Sequence, residues 1–327
     1  MQQQQEKVEY KVSNWSEYNK ALISRGSLSI FIEDDLAQQW NAPKSGAPGR
    51  PRTYGDPVIE MCLLFKCMLK QPYRATEGFV KSLFEMTGQN LKVPCYTQIS
   101  RRAITLPEPF KTFGAQKGTV DIVIDSTGLK VYGEGEWKVR QHGYSKRRTW
   151  KKIHLAMDPL SGQVVGMSVT ANTVCDHSVL EEVLAQVENP IDRCFADGAY
   201  DKKDCYEVAA KLEMELVTPP AINAVEQANP EDCPALAPRD AAVQRIEELT
   251  AKNGGNREKA RKQWKEESDY HCRSVVETLM YRFKQICGDK LFSRRADLQI
   301  QEAKLKVTML NKFTSLGMPV FNIVPQI

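Results

Sequence analysis

Two aspartates each end a short apolar run that is predicted to be a buried strand. Asp125 ends the run 119–125 and Asp197 ends the run 193–197, and small residues follow both. A carboxylate at a strand end projects from a rigid backbone, which suits a metal ligand. A single acid at a strand end more often caps the next turn, so either aspartate alone is weak evidence for a metal site. The pair is stronger evidence.

A third acid lies on one face of a helix predicted at about 270–287. Tyr270, Arg273, Glu277 and Lys284 are separated by three, four and seven residues, and at about 100° per residue these steps return to one side of a helix. The alternative is an exposed salt-bridged stripe, because Arg273 and Glu277 are an i,i+4 pair. The two strand-end aspartates favour a site over this alternative.

Three acids from distant regions of the chain suit two-metal phosphoryl transfer. Two divalent ions about 3.5–4 Å apart then activate the attacking oxygen and stabilise the leaving oxygen. Mg²⁺ takes its oxygen ligands from a few carboxylates, water and substrate phosphate. We therefore expect Asp125, Asp197 and Glu277 to hold two Mg²⁺ or Mn²⁺ ions, with Arg273 and Lys284 beside the phosphates.

The elements that position these acids are predicted mainly between residues 118 and 218. Helices are predicted at 178–187 and 201–211, and strands at 119–125, 150–157, 163–170, 193–197 and 214–218. Residues 128–133 either extend the first strand or form a short strand of their own. The predicted division is a helical domain over residues 1–117, the beginning of the core over 118–218, an insertion over 219–268, and a core completion with C-terminal helices over 269–327.

The helical domain, to residue 117, contains three short predicted helices, the last with polar and basic residues. This pattern is typical of a helix-turn-helix, and an ordinary helical packing domain is the alternative. Basic residues are also clustered although the formal net charge is only +4. Residues 138–152 hold seven Lys or Arg and no acid, and residues 44–52 hold three and no acid, which favours a polyanionic partner.

The composition excludes several classes of protein. No run of about 18 apolar residues predicts a membrane span, and the polar N-terminus has no hydrophobic signal region, so we expect a cytoplasmic protein. The nine cysteines include no CxxC pair, and their odd number argues against a disulfide framework. The four histidines have no zinc-site spacing.

Three segments resemble the DDE transposases of the insertion-sequence-five type. They are Asp125-Ser-Thr-Gly-Leu-Lys-Val-Tyr-Gly133 followed by GEGEWK (133–138), Asp197-Gly-Ala-Tyr-Asp201, and the Tyr270/Arg273/Glu277/Lys284 signature. The resemblance implies an α/β fold: an RNase H-like mixed five-stranded core with helices on both faces, an all-helical N-terminal DNA-binding domain and a helical insertion before the last catalytic helix. Asp125 is then on the first strand, Asp197 on the fourth, and Glu277 after the insertion.

The resemblance also implies an activity and partners. We therefore expect the transposase of a bacterial insertion sequence, which binds terminal inverted repeats, cleaves DNA at the element ends and joins the 3′ ends to target DNA. A homodimer or larger synaptic complex at the nucleoid is the expected assembly. Asp125 and Asp197 are expected to share one metal ion, and Glu277 to help hold the second. In this family a basic residue is expected after Pro219-Pro220, where this chain has Ala221-Ile222-Asn223.

Further DNA contacts follow from the resemblance. Backbone contacts are expected from Tyr270, Arg273 and Lys284 and from the basic segment, namely Lys138, Arg140, Lys146, Arg147, Arg148, Lys151 and Lys152. Base reading is expected from Gln98, Ser100, Arg101 and Arg102. Arg50 and Arg52 are either a minor-groove arm or belong to a flexible linker. Two alternatives remain: an RNase H-like DNA nuclease that joins nothing, and a non-catalytic DNA-binding regulator.

Overall fold

The computed structural model describes residues 9–32, 35–43, 46, 49, 51–106, 110–114, 118–131 and 150–324. The chain forms two compact units, one of Met1–Phe113 with Thr308–Ile327 and the other of Gly114–Val307. The elements in chain order are β1 (Glu9–Val12), α1 (Trp15–Ser24), α2 (Asp56–Met68), α3 (Tyr73–Met86), α4 (Tyr96–Arg102), β2 (Val120–Val131), β3 (Trp150–Met157), β4 (Val164–Ala171), α5 (Leu180–Leu184), β5 (Ile191–Phe195), α6 (Lys203–Lys211), β6 (Glu215–Val217), α7 (Ala237–Lys252), α8 (Arg257–Glu267), α9 (Ser274–Cys287), β7 (Lys290–Leu291), α10 (Ala296–Ser315) and β8 (Phe321–Val324).

The first unit is built around α2. Pro57 lies in the first turn of this helix, where its missing N–H costs nothing, and eight of the thirteen residues are buried. Helices α3 and α4 pack against α2 and against each other, so the three helices predicted here are present. The antiparallel pair β1–β8 was not predicted, because its strands come from opposite ends of the chain.

The second unit contains the predicted mixed sheet. Its strand order is β4-β3-β2-β5-β6; β2, β3 and β4 are antiparallel neighbours, and β2, β5 and β6 are parallel neighbours. This confirms the five-stranded arrangement predicted for an RNase H-like core. Residues 128–131 extend the first strand, and the short β7 adds a parallel partner for Lys130 and Val131.

Helices cover both faces of this sheet. Ile122 and Ile124 of β2 belong to a buried apolar cluster with residues of α5 and α6. A side-chain carbon at Gly166 of β4 would meet the carbonyl oxygen of Val183 at 2.3 Å, so α5 packs directly on the strand backbone there. Alternate residues of a strand point to opposite faces, so Asp125 of β2 points away from Ile122 and Ile124. Helix α9 contacts β2 on the face of Asp125, to which Arg273 joins its Glu277.

The predicted insertion is a pair of helices, α7 and α8, that pack on each other. Gly254 and Gly255 separate them with φ of 63° and 86°, a backbone conformation that favours glycine. Asn256 then caps α8 by accepting a hydrogen bond from the N–H of Lys259 at 2.9 Å. No helix in the described ranges is long and apolar enough to cross a membrane.

Candidate active site

Asp125 lies on β2, and Asp197 lies two residues beyond the end of the neighbouring parallel strand β5. Val123 pairs with Phe195, and each aspartate lies two residues further along the chain. Asp197 keeps an extended backbone (φ −76°, ψ 173°), and residues two apart in an extended segment point to the same face. The two carboxylates therefore project from one face, side by side.

The prediction that Asp125 ends its strand is wrong, because β2 continues to Val131. The strand stays extended because residues 123–130 pair with β3. What ends near Asp125 is the ladder to β5, whose last pair is Val123 with Phe195. Among the described residues, β2 has no strand partner on its β5 side from residue 124 to 129, before β7 pairs at Lys130. We call residues 124–129 the open edge of β2.

The signature acid Glu277 lies in the first turn of α9. The sequence predicted one helix over 270–287, whereas Tyr270–Arg273 form a 3₁₀ turn and the α-helix begins at Ser274. Periodicity of apolar residues does not distinguish a short 3₁₀ turn from the α-helix that follows it. Lys284 lies in the last turn of α9, seven residues after Glu277, and its side chain is exposed.

Arg273 joins the sheet to the helix. Its Nη2 donates to Oδ2 of Asp125 at 3.2 Å and its Nη1 donates to Oε1 of Glu277 at 2.9 Å. Only 21% of the Arg273 side chain is exposed, and its Nε is buried without a hydrogen-bond partner among the described residues. The i,i+4 ion pair of Arg273 with Glu277, predicted as the alternative to a site, is therefore present, and the same arginine also binds Asp125.

The three acids influence one another electrostatically. Burial raises the pKa of Asp125, and the negative charges of Asp197 and Glu277 raise it further. The N–H of Ser126, which donates to Asp125 Oδ1 at 2.7 Å, and the charge of Arg273 lower the pKa but do not cancel the shift. The carboxylates are thus close enough to repel one another, as expected of groups that share a bound cation.

Tyr270 lies in the same electrostatic environment. Burial raises the pKa of its hydroxyl to about 12; Arg273 acts in the opposite sense, and Asp197, Asp125 and Glu277 raise it further. Of the four signature residues, Tyr270, Arg273 and Glu277 thus share one electrostatic environment with Asp125 and Asp197. The side chain of Tyr270 is half-buried.

The donor chemistry fits a divalent ion, because three carboxylates supply the hard oxygen ligands that Mg²⁺ and Mn²⁺ take. Their single arginine partner leaves an excess of negative charge. Within the described ranges, no three acidic, histidine or cysteine side chains form a complete ligand group. Arg273 bridges two of the three acids instead.

Other acids on these strands have structural partners. Asp121 forms an ion pair with Arg193 at 2.8 Å, so its carboxylate is already neutralised. Asp201 does not cap α6, whose N-cap residue is Lys202. Asp201 instead accepts from the N–H of Ala221 at 2.8 Å and from Nε of Arg239 at 3.0 Å, so it ties the insertion to the segment after Asp197.

Sequence reasoning missed a buried tyrosine beside the site. The side chain of Tyr200 is 1% exposed, and its hydroxyl has no hydrogen-bond partner among the described residues. Burial raises its pKa, and Asp176, Asp197 and Asp125 raise it further. Its position three residues after Asp197 was the available signal.

The contact of the insertion with Tyr270 was also missed. The ring of Trp264 lies 6.2 Å from that of Tyr270, and the Lys265 ammonium lies 5.4 Å from the centre of the same ring. Arg261 donates from Nη2 to the carbonyl oxygen of Pro220 at 2.7 Å. Arg261 of the insertion thus places a basic side chain beside Pro220, after which the sequence itself has Ala221-Ile222-Asn223 in place of the expected basic residue.

Many of the predicted DNA-contacting residues lie outside the described residues: Lys138, Arg140, Lys146, Arg147, Arg148 and Arg50, together with the GEGEWK segment. Lys151 and Lys152 lie on β3. The Nζ of Lys152 donates to Asp176 at 2.8 Å and to the carbonyl oxygen of Val174 at 2.9 Å. Trp150, another residue of β3, packs 3.2 Å from where a side-chain carbon would stand at Gly128.

The predicted base-reading residues lie on α4 of the first unit. Arg101 is exposed and Ser100 half-buried. Gln98 accepts from the N–H of Cys95 at 3.4 Å within the α4 cap. Arg102 donates to the carbonyl oxygen of Tyr54 at 2.8 Å and forms an ion pair with Asp56. Arg52 lies 3.9 Å from the same aspartate and is 55% exposed. Their role in base reading stays a prediction.

Two solved structures are similar to this chain. One is a piggyBac transposase synaptic complex with hairpin DNA, with 12% identity over 89% of this chain and 75% of that chain, at a TM-score of 0.41. The other is a simian T-cell lymphotropic virus intasome with the PP2A regulatory subunit B56 gamma, with 13% identity over 59% and 66% of the respective chains, at a TM-score of 0.23.

Two family models, each described as a transposase DDE domain, match residues 23–134 and 116–312. The second match includes Asp125, Asp197 and Glu277 and covers more than half of the chain. The chain therefore belongs to the DDE transposases, and its sheet has the strand order expected of an RNase H-like core.

Proposed function

We propose that this transposase serves a bacterial insertion sequence, cleaving DNA at the element ends and joining the 3′ ends to target DNA. The observation that carries the proposal is the placement of its acids. Asp125 and Asp197 extend paired positions of two parallel strands, and Arg273 joins Asp125 to Glu277. An acid-rich site at the open edge of β2 suits the chemistry of phosphoryl transfer better than that of binding alone.

Asp125, Asp197 and Glu277 would hold two Mg²⁺ or Mn²⁺ ions. Such ions, when bound, activate the attacking oxygen and stabilise the leaving oxygen. The chain's own contribution is positioning: β2 and α9 are rigid elements, and Arg273 donates to a carboxylate from each. Tyr270 and Lys284 would contact phosphates on either side of the scissile bond.

DNA contacts outside the acidic site belong to the proposal. The basic segment 138–152 and the exposed Arg101 would bind duplex DNA, the former through its backbone and the latter through base edges. Two element ends must be held together for joining, so a dimer or larger complex is the proposed assembly. Its test is the size of the protein–DNA complex formed on paired ends.

The main experiment is a cleavage and joining assay with the full-length chain, Mg²⁺ and DNA carrying the element ends. Glu277→Gln removes a charge from an exposed helix position without changing the side-chain size. We expect cleavage to be abolished while end binding persists. Glu266→Gln is the matched control, because Glu266 is also exposed on a helix of this unit and has no assigned role.

The products distinguish the alternatives. Cleaved ends without joined product would replace the transposase proposal by a nuclease. End binding without any cleavage by the unaltered chain would favour a regulator. Retained cleavage in the Glu277→Gln variant would remove Glu277 from the active site.

A further inference from the structure

Helix α8 of the insertion carries basic side chains at every fourth position: Arg257, Arg261 and Lys265. A step of four residues advances about 6 Å along a helix and turns about 40°, so the three lie along one flank of α8. Like charges at this spacing repel each other and weaken a helix. The row of Arg257, Arg261 and Lys265, the α8 basic row, therefore needs an explanation other than helix stability.

The α8 basic row is not neutralised within the described region of the chain. None of its three members forms an ion pair with an acid there, whereas Arg245 of α7 pairs with Glu248 and Glu267, each at 2.8 Å. Arg257 and Lys265 are exposed, and Arg261 is half-buried. The insertion thus has ion pairs around Arg245, whereas the basic charges of the α8 basic row have no acidic ion-pair partner within the described residues.

The row leads to the candidate active site at two points. The Lys265 ammonium lies 5.4 Å from the ring centre of Tyr270, whose hydroxyl is influenced by the three catalytic acids. Arg261 donates to the carbonyl oxygen of Pro220 at 2.7 Å. The preceding residue, Pro219, has its carbonyl oxygen 3.5 Å from where a side-chain carbon would stand at Gly198, the residue next to Asp197.

We propose that Arg257 and Lys265, the two exposed members of the row, bind phosphates of one DNA strand next to the site of cleavage, while Arg261 holds α8 against the loop at Pro220. This inference rests on the proposed function, which supplies the DNA. Eight residues of helix span about 12 Å, over which one strand of a duplex presents roughly three to four phosphates at about 3.4 Å of axis each. The row would therefore extend the binding surface along the strand and away from the acids.

The test measures DNA binding, not catalysis. A fluorescent duplex of about 30 bp and arbitrary sequence is titrated with the full-length chain, without divalent ions, between about 50 and 200 mM salt. Because each phosphate contact contributes about 0.9 to the slope of log affinity against log salt, Arg257→Gln with Lys265→Gln should lower that slope by about two. The affinity at about 100 mM salt should fall at least tenfold.

The matched control is Lys259→Gln with Lys252→Gln. Both lysines are exposed; at about 100° per residue Lys259 lies on the side of α8 away from the row, and Lys252 lies on α7. The control removes the same charge and should leave the slope unchanged. Thermal unfolding of both double variants checks that the insertion remains folded. Arg261→Lys, which keeps the charge, should retain more affinity than Arg261→Gln.

An unchanged slope in the Arg257/Lys265 variant overturns the inference, and so does an equal loss in the control, which would indicate only a net-charge effect. Failure of the unaltered chain to bind the duplex overturns it as well. The proposed function is judged separately by the Glu277→Gln assay. Cleavage that persists in that variant leaves the binding result standing, and an unchanged salt slope leaves the cleavage result standing.

Discussion

Two groups, each of an arginine with acidic side chains, include Asp121 and Asp125, which lie four residues apart on β2. The two groups differ in their balance of positive and negative charge. In the first group, Arg193 of β5 contacts Asp121 at 2.8 Å and Asp269 at 3.1 Å. The hydrogen bond to Asp121 raises the pKa of the Arg193 guanidinium, and Asp269 adds to the shift. This group lies where β2 and β5 are still paired, so we read it as a closed structural link.

The second group has the same arrangement, an arginine in contact with two carboxylates, and one additional acid. Arg273 again contacts two carboxylates, Asp125 and Glu277, but Asp197 adds a third, and the pKa of Asp125 is raised by burial and by its acidic neighbours. It lies beside the open edge of β2. The second group therefore differs from the first by its uncompensated negative charge and its missing strand neighbour, and both differences favour its proposed role in binding a cation.

The largest expected effect separates the two groups by activity. Asp125→Asn should lower the rate of end cleavage by about 10³-fold or more, because it removes a proposed metal ligand. Asp121→Asn, the same change four residues earlier on β2, should alter the rate by no more than about twofold. Single-turnover cleavage with Mg²⁺ measures both. Similar losses in the two variants would erase the distinction.

The next effect concerns the arginines. Arg273→Gln should reduce cleavage about 10- to 100-fold, because Asp125 and Glu277 lose the group that positions them. The same variant should gain more thermal stability from Mg²⁺ than the unaltered chain, since unrelieved repulsion among the acids favours cation binding. Arg193→Gln is the control and should leave the response to Mg²⁺ as it was. An identical Mg²⁺ response in all three proteins contradicts this.

A smaller effect is expected on stability alone. Arg193→Gln breaks two ion pairs whose side chains are partly exposed, with 27% of Asp121 and 53% of Asp269 accessible. Solvent screens such pairs, so the free energy of unfolding should fall by only about 1 kcal/mol. Urea unfolding measures the loss. A change above about 3 kcal/mol would mean that this group carries more of the fold than its exposure indicates.

The smallest effect is the pH dependence of Asp125. Its pKa is raised above the ordinary value of 3.8, so the folded chain binds this proton more tightly than the unfolded chain does. The contribution to stability is full below about pH 3.8 and is lost as pH rises through the raised pKa. Without divalent ions, Asp125→Asn should therefore gain stability relative to the unaltered chain over that interval, by less than about 1 kcal/mol. Urea unfolding of both proteins across this pH range measures the difference.

Much of the sheet was predictable because its strands are short apolar runs between turn residues. Asp125-Ser126-Thr127-Gly128 was read as a strand end, since small polar residues favour turns. The strand continues because β3 pairs with it through Lys130, and tertiary pairing overrides local preference. The relation between Asp125 and Asp197 needed the parallel register, which a single sequence does not contain.

The helical site elements were predicted less completely. The spacing of Tyr270, Arg273 and Glu277 marked one face, but not the change from 3₁₀ turn to α-helix at Ser274. The position of the insertion depends on long-range contacts such as Trp264 with Tyr270. The spacing of four residues between the basic side chains of α8 was the available signal for the proposed surface there. The catalytic and DNA-contacting roles stay predictions for the assays above.

The two-residue strand β7 has a consequence for how this region of the chain tolerates changes in length. Helix α9 has fourteen residues, about 21 Å; Arg273 attaches its start to Asp125, and β7 attaches the chain after its end to Lys130 and Val131. Adding or deleting one residue between Glu277 and Gly288 would rotate the two ends of the helix by about 100° relative to each other, so keeping the β7 attachment would turn Arg273 and Glu277 away from Asp125. Insertions are therefore expected to survive at the Gly254-Gly255 turn and to inactivate the enzyme within α9.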